Sequence, residues 1–186
     1  MATKDEILKT ALELFANKGY ENTSLEEIAS HIGITKPAIY YHFKNKQTLY
    51  NEIFIINFSS LEFKMKETVE ESLKEYIYKL GDFFIKNPCM AKLFSKEITS
   101  EAVHLTEETL TVVSKTLRHL TKILKTTNLN PFFIQTMVIS TFTTYANTLK
   151  VREKISGIIR EEKLEKNFNI TEEIYQAVIQ YIKAHK

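Results

Sequence analysis

The chain has 186 residues, 44% hydrophobic and 26% charged, with a formal net charge of only +2. This is the balance of an ordinary globular protein with room for one substantial core, or for a small domain joined to a larger one. It excludes recognition of a partner by bulk charge, so any basic patch must be local. A single cysteine rules out an intrachain disulfide, which fits a reducing compartment. Four glycines and three prolines encode few turns, which favours long helices over a many-stranded β fold. The first residues, MATKDEILKT, lack the apolar run of a signal peptide. No run of about 18 apolar residues is present, so no membrane span and a cytoplasmic location are expected.

In chain order, Ile7, Leu8, Ala11, Leu12 and Phe15 share one helical face, and Gly19 ends that helix. Ser24 with Glu27, or Thr23 with Glu26, can form a capping box that opens a short second helix ending near Gly33. Thr35 is placed to cap a third helix with Pro37 in its first turn. A fourth helix starts near Lys46 and carries Leu49, Ile53, Phe54, Phe58 and Leu61. Val69, Leu73, Tyr76, Ile77, Leu80, Phe83 and Phe84 mark a long helix ended by Asn87-Pro88, and a short helix covers Met90 to Ile98. Leu110, Val113, Leu117, Leu120 and Leu124 form one further stripe, closed by the NLNP turn at Asn128 to Pro131. A helix from Pro131 gives way after about Ile155 to a charged, irregular segment, SGIIREEKLEKNFNI. Thr171 then caps a last helix bearing Ile174, Tyr175, Val178, Ile179 and Ile182. The pattern predicts an all-α fold of about nine helices, with three short ones first.

Two short helices joined by a turn at His31-Ile32-Gly33-Ile34 have the form of a helix-turn-helix, whose second helix enters the DNA major groove. The following stretch, TKPAIYYHFKNK, suits that role. Lys44 and Lys46 can neutralise phosphates, and Tyr40, Tyr41 and His42 can hydrogen-bond phosphate oxygens. Lys36 can reach guanine N7 and O6. From Ile28 to Asn51 there are three lysines and no carboxylate, and the acids of the first two helices are expected on the side away from DNA. A lysine-rich stretch is equally compatible with a plain solvated face until the order of cap, glycine turn and proline-started helix is added.

That order resembles the N-terminal domain of TetR-family transcriptional regulators. The matching residues are Ala11, Leu14-Phe15, Gly19-Tyr20, Thr23-Ser24, Ile28-Ala29, Gly33-Ile34, Ile39-Tyr40, His42-Phe43, Lys46 and Leu49. Ile32 stands where the family often has Ala, and Thr35 where it often has Ser. Pro37 stands where Gly or Pro is usual and has no N–H to give DNA. The resemblance implies a DNA-binding domain over residues 1–46 and a helical ligand-binding and dimerisation domain over 47–186. It makes Ser24, Tyr41, His42 and Lys46 phosphate contacts and sets Lys36, Pro37, Ala38 and Tyr40 towards bases. His42 has packing against the neighbouring helix as its other role.

Pro131 to Leu149 contains no charged residue, so this helix is expected to be covered on every side, by the core and by a partner subunit. The resemblance implies a homodimer through the 131–155 and 171–185 helices on a roughly palindromic double-stranded operator, with reading helices about 34 Å apart. It also implies a pocket for a small neutral or hydrophobic ligand. Candidate lining residues are Tyr76, Leu80, Phe83, Phe84, Met90, Phe94, Leu117, Phe133, Met137 and Tyr145, with Gln135, Ser140, Thr144 and Asn147 as polar anchors. Aromatic residues at helical spacing are equally the makings of a plain core. Cys89 at a helix start reads as a buried, inert thiol, and His104 and His119 as pocket or surface residues. No metal-ligand spacing, phosphate loop or catalytic triad occurs, so no cofactor, metal or enzymatic activity is expected. The function the resemblance implies is a ligand-responsive transcriptional repressor released from its operator by a small-molecule inducer. The alternatives are a ligand-independent architectural DNA-binding protein and a helical binding protein retaining a vestigial helix-turn-helix.

Overall fold

The computed structural model describes residues 3–159 and 168–185. Among them are eleven α-helices, one 3-10 turn and no strand. They are α1 (Lys4–Lys18), α2 (Leu25–Ile32), α3 (Lys36–His42), α4 (Lys46–Ser59), α5 (Val69–Lys86) and α6 (Pro88–Thr99). Then come α7 (Glu107–Val113), α8 (Lys115–Ile123), α9 (Pro131–Asn147), α10 (Leu149–Ile159) and α11 (Ile170–Ala184). The chain forms two compact units, Met1–Leu61 with Lys92–Lys115, and Glu62–Ala91 with Thr116–Lys186. This division by compactness places α4, most of α6 and all of α7 in the first unit, whereas the expected division into 1–46 and 47–186 follows the helix-turn-helix alone.

Helix starts are set by short polar side chains that satisfy orphan backbone N–H groups. Thr3 and Glu6 form a reciprocal capping box at α1, as do Thr68 and Glu71 at α5. Ser24 accepts from Glu27 N at 3.1 Å, but Glu27 does not return the bond. Its side chain is instead paired with Lys18. Thr23, the other expected cap, is buried and donates its hydroxyl to Gly19 O at 2.8 Å. Thr35 sits at the N-cap of α3 but makes no side-chain cap bond. The last helix is capped by Asn169, whose Oδ1 accepts from Glu172 N at 3.2 Å, so Thr171 lies inside α11 instead of capping it.

Three sequence readings are corrected by the chain's geometry. The stripe from Leu110 to Leu124 is broken at Ser114 into α7 and α8, and Thr109 and Thr116 are buried where Leu110 is exposed. The physical reason is a polar tie: Thr109 Oγ1 donates to Asn51 Oδ1 at 2.6 Å, turning that face of α7 inward. The uncharged helix breaks at Thr148, and α10 runs to Ile159, beyond the expected end near Ile155. Leu61 falls past the end of α4. The remainder of the expected irregular segment, 160–167, lies outside the described residues.

In the first unit α1 packs on α2 and α4, α2 on α3, and α4 on α7. Ile7, Ala11, Phe15, Ile28, Ile39, Leu49 and Phe54 are fully buried there. In the second unit α5 packs on α9 and α11, and α9 on α10 and α11, around Leu73, Tyr76, Leu80, Phe84, Ile134, Val138 and Phe142. The closest approach is at Gly81. A Cβ there would lie 2.7 Å from Thr171 Oγ1 and 3.0 Å from the Phe142 ring. Gly81→Val is therefore expected to destabilise the protein by about 2 kcal/mol through overpacking, measured by denaturant unfolding.

Candidate nucleic-acid interface

α2 ends in a left-handed glycine, Gly33, at φ 77 and ψ 32. There Ile34 N donates to Ala29 O at 3.0 Å, closing the turn that redirects the chain into α3. Within α3 only Ile39 is buried, and it anchors the helix to α2. Lys36, Ala38 and His42 are half-buried, and the remaining residues of α3 are left to solvent. Tyr41 is 79% exposed and Tyr40 47%, and Pro37 is exposed beside them. Large aromatic side chains standing this far out of a small domain add little to its core. They are suited to the sugars, phosphates and base methyls of a groove.

The expected contact residues separate by environment. Ser24 is exposed, and although its oxygen caps α2, its O–H remains able to donate. Ala38 and His42 are half-buried, with the His42 ring 5.0 Å from Tyr41 and 6.3 Å from Phe43, so His42 shares packing with its neighbours. Lys44 is exposed. Lys46, the first residue of α4, is half-buried and already engaged. Its Nζ donates to Tyr20 O at 2.9 Å and lies 4.1 Å from the centre of the Tyr20 ring. An ammonium has three donors, so two remain for phosphate.

The expectation that all acids lie away from this surface is corrected at one position. Glu26, in the first turn of α2, forms an ion pair with Lys36. The turn brings the starts of the two helices together, so residues ten apart in sequence meet. The bond from Lys36 holds the Glu26 carboxyl below its usual range, and the bond to Glu26 raises the Lys36 ammonium above its own. Both stay charged at neutral pH. To reach a base edge, as the sequence reading expects of it, Lys36 has to leave this carboxylate. Sequence reasoning missed Glu26 because it was assigned to capping. Tyr20 was matched as part of a motif without a role.

The candidate ligand residues divide between buried and exposed positions. Tyr76, Leu80, Phe83, Phe84, Met90 and Phe94 are buried. Phe94 belongs to the first unit, where it packs 5.4 Å from Phe58. Tyr76 donates its hydroxyl to Gln135 Oε1 at 3.2 Å, and burial pushes its phenol up. Leu117, Met137 and Tyr145 are half-buried, and Phe133, Ser140, Thr144 and Asn147 are exposed. The Tyr145 ring is covered by the Arg152 guanidinium at 4.0 Å. An open groove of about 820 Å³ in the second unit is lined instead by Met65, Lys66, Lys74, Glu75 and Tyr78, among others. A second hollow of about 400 Å³ lies between Val69, Thr127, Asn128, Ile182 and His185. Cys89 is half-buried in the first turn of α6. His119 stacks on Phe63 at 5.1 Å, and burial lowers its pKa. Among the described residues no group of side chains is arranged to hold a metal, and no helix is long and apolar enough to cross a membrane.

Two substitutions separate the two lysines. Lys46→Ala is expected to weaken binding to every duplex and to lower the salt slope by about one unit, read by fluorescence anisotropy across a salt titration. Glu26→Gln is expected to tighten binding severalfold, because Lys36 no longer has to leave a carboxylate. Unchanged affinity in that variant means Lys36 does not move to DNA.

Comparison with known proteins agrees with this geometry. The family model for bacterial regulatory proteins of the tetR family matches residues 7–53. The chain is 30% identical over 94 residues to the biofilm operon icaADBC negative transcriptional regulator IcaR of Staphylococcus aureus, covering 45% of this chain and 50% of that one. It is 46% identical over 59 residues to the transcriptional regulator AcrR of Shigella flexneri, covering 32% of this chain and 27% of that one. The chain thus spans half the length of IcaR or less of the curated relatives it matches. Its fold is similar to that of the regulator FadR from Bacillus subtilis, solved in complex with stearoyl-CoA. The TM-score is 0.68 at 17% identity, over 99% of this chain and 100% of that one. Residues 7–53 thus match the DNA-binding domain of the tetR family of bacterial regulatory proteins, and the whole chain shares the fold of FadR.

Proposed function

We propose that the protein is a ligand-responsive transcriptional repressor that binds a roughly palindromic operator as a homodimer and is released by a small neutral or hydrophobic molecule. The observation that carries the reading is α3, a helix anchored by Ile39 alone that presents Lys36, Pro37, Tyr40 and Tyr41 to solvent. Lys46 and Ser24 flank it at the starts of α4 and α2, where helix dipoles favour phosphate. IcaR, which this chain resembles in sequence, is a negative regulator, and that supports repression over activation. No catalytic constellation accompanies this surface, and the place of action is the cytoplasm, where the DNA is.

Dimerisation is supported by the outer faces of α9 and α10. Phe132 is 69% exposed on α9, and α10 buries no residue while leaving Val151, Ile155 and Ile158 in solvent. A stable monomer rarely leaves so many apolar side chains side by side. In this reading the ligand sits beside the hydrogen-bonded Tyr76 and half-buried Gln135, whose free phenol lone pair and amide N–H groups can serve a neutral molecule. FadR of Bacillus subtilis, a fold relative, was solved with the acyl thioester stearoyl-CoA, which supports an apolar ligand here.

The test is anisotropy binding to DNA from upstream of the protein's own gene, against an unrelated duplex, with salt varied. Selective binding that falls steeply with salt is expected. Equal, weak binding to both duplexes favours an architectural role, and no binding at low salt overturns the reading. Ile158→Glu is expected to shift the protein to monomer in sedimentation and to weaken operator binding by tenfold or more, since each half-site then binds alone (on the order of the avidity lost).

A further inference from the structure

We propose that His104, in the connection between α6 and α7, is a positioning residue for DNA binding: it holds Tyr20 as the platform from which Lys46 reaches phosphate. The proposal rests on the reading of Lys46 as a phosphate contact. All the groups involved lie within the first compact unit.

Lys46 touches the protein chiefly through Tyr20, by a hydrogen bond to its carbonyl at 2.9 Å and by its ammonium over the ring at 4.1 Å. A cation over an aromatic face is held in a defined place only if the ring is held. Tyr20 is in a loop, between α1 and α2, so its own backbone does not fix the ring. Three side chains do. Phe15 stacks at 5.9 Å, Tyr50 meets it edge-on at 4.9 Å, and His104 lies nearest, at 4.3 Å.

His104 is itself fixed from several directions. Its Nδ1 is 2.8 Å from Glu97 Oε1 and its Nε2 is 3.2 Å from Glu21 Oε1. Glu97 is only 2% exposed and also accepts from the Tyr50 hydroxyl at 2.6 Å. Its other oxygen is buried with no hydrogen-bond partner among the described residues, so Oε1, shared by His104 and Tyr50, carries the hydrogen bonding of this side chain. The backbone is tied to α4 as well. Asn51 Nδ2 donates to His104 O at 2.9 Å and to Gln47 O at 2.9 Å, and Asn51 Oδ1 accepts from Thr106 N at 2.8 Å. The loop reaches this place through two consecutive left-handed residues, Glu101 at φ 58 and Ala102 at φ 56. Neither is glycine, so the turn costs backbone energy that the His104 and Asn51 contacts must offset. A connection held against strain, on the ring that seats a DNA-facing lysine, sets where that lysine points.

The experiment is a double-mutant cycle on a mixed-sequence duplex, with affinity measured by anisotropy across a salt titration. His104→Gln keeps a hydrogen-bonding partner for Glu97 but removes the ring against Tyr20. It is expected to weaken binding about tenfold and to lower the salt slope by about one unit, as Lys46→Ala does. In the Lys46→Ala background it is expected to change nothing further. Tyr20→Phe, which keeps the ring, is expected to retain the wild-type slope. A wild-type slope for His104→Gln, or the same loss with and without Lys46, overturns the proposal, because a merely structural histidine acts independently of Lys46. If His104→Gln does not fold, Tyr20→Leu is read by the same criteria. Wild-type protein that binds no duplex at low salt removes the DNA-binding reading and the proposal with it. Wild-type binding with an inert His104 removes the proposal alone.

Discussion

A carboxylate withdrawn from water governs the arrangement of the first unit. Glu97 sits on α6 with its side chain enclosed, and a buried charge is tolerated only where donors converge on it. The donors are the hydroxyl of Tyr50 on α4 and the imidazole of His104 beyond the end of α6. Burial and the carboxylate together push the Tyr50 phenol far up, so it remains a donor at every physiological pH. Removing one partner of such a group costs on the order of 3–5 kcal/mol, much more than a surface ion pair returns. The helix-turn-helix is therefore fastened to α6 by a chemically specific bond as well as by apolar packing, and the tyrosine that fastens it also touches the ring under Lys46.

The reading surface is built in the opposite manner, from groups the fold leaves in water. α3 gives up one side chain to the core and keeps the others wholly or half in solvent. Its one internal ionic tie, Lys36 to Glu26, is exposed at both ends, so it can be exchanged for another acceptor at little cost. The two lysines thus differ in kind. Lys46 is seated on Tyr20 in the free protein, which on the proposed reading favours a fixed register on the DNA backbone. Lys36 is held by a replaceable partner, which suits a residue that reads one base among several.

Much of this architecture was legible in the sequence because its signals are local. Gly19 and Gly33 end helices, Pro37 begins one, and Asn87-Pro88 stops one, each through backbone chemistry that does not depend on distant residues. The breaks at Ser114 and Thr148 were not legible, because no glycine or proline marks them and the hydrophobic stripe continues across both. What turns α7 is Asn51, more than fifty residues away, whose amide recruits Thr109. The same limit hid the site's supports. In the sequence Tyr20 is a motif residue without a role and His104 reads as pocket or surface; only the fold shows that the two rings meet. For the aromatic stripe on α5 the sequence pattern suits core and pocket equally, and the side chains are packed among themselves, with the open groove elsewhere.

Gly81 makes one point of the second unit common to three helices. α5 has only backbone there, and the Phe142 ring of α9 and the Thr171 hydroxyl of α11 fill the space a Cβ would take. Packing of this density has no void in which a displacement could be absorbed. A shift of either side chain is therefore felt directly by the α5 backbone, so the three helices answer to one another as a single body.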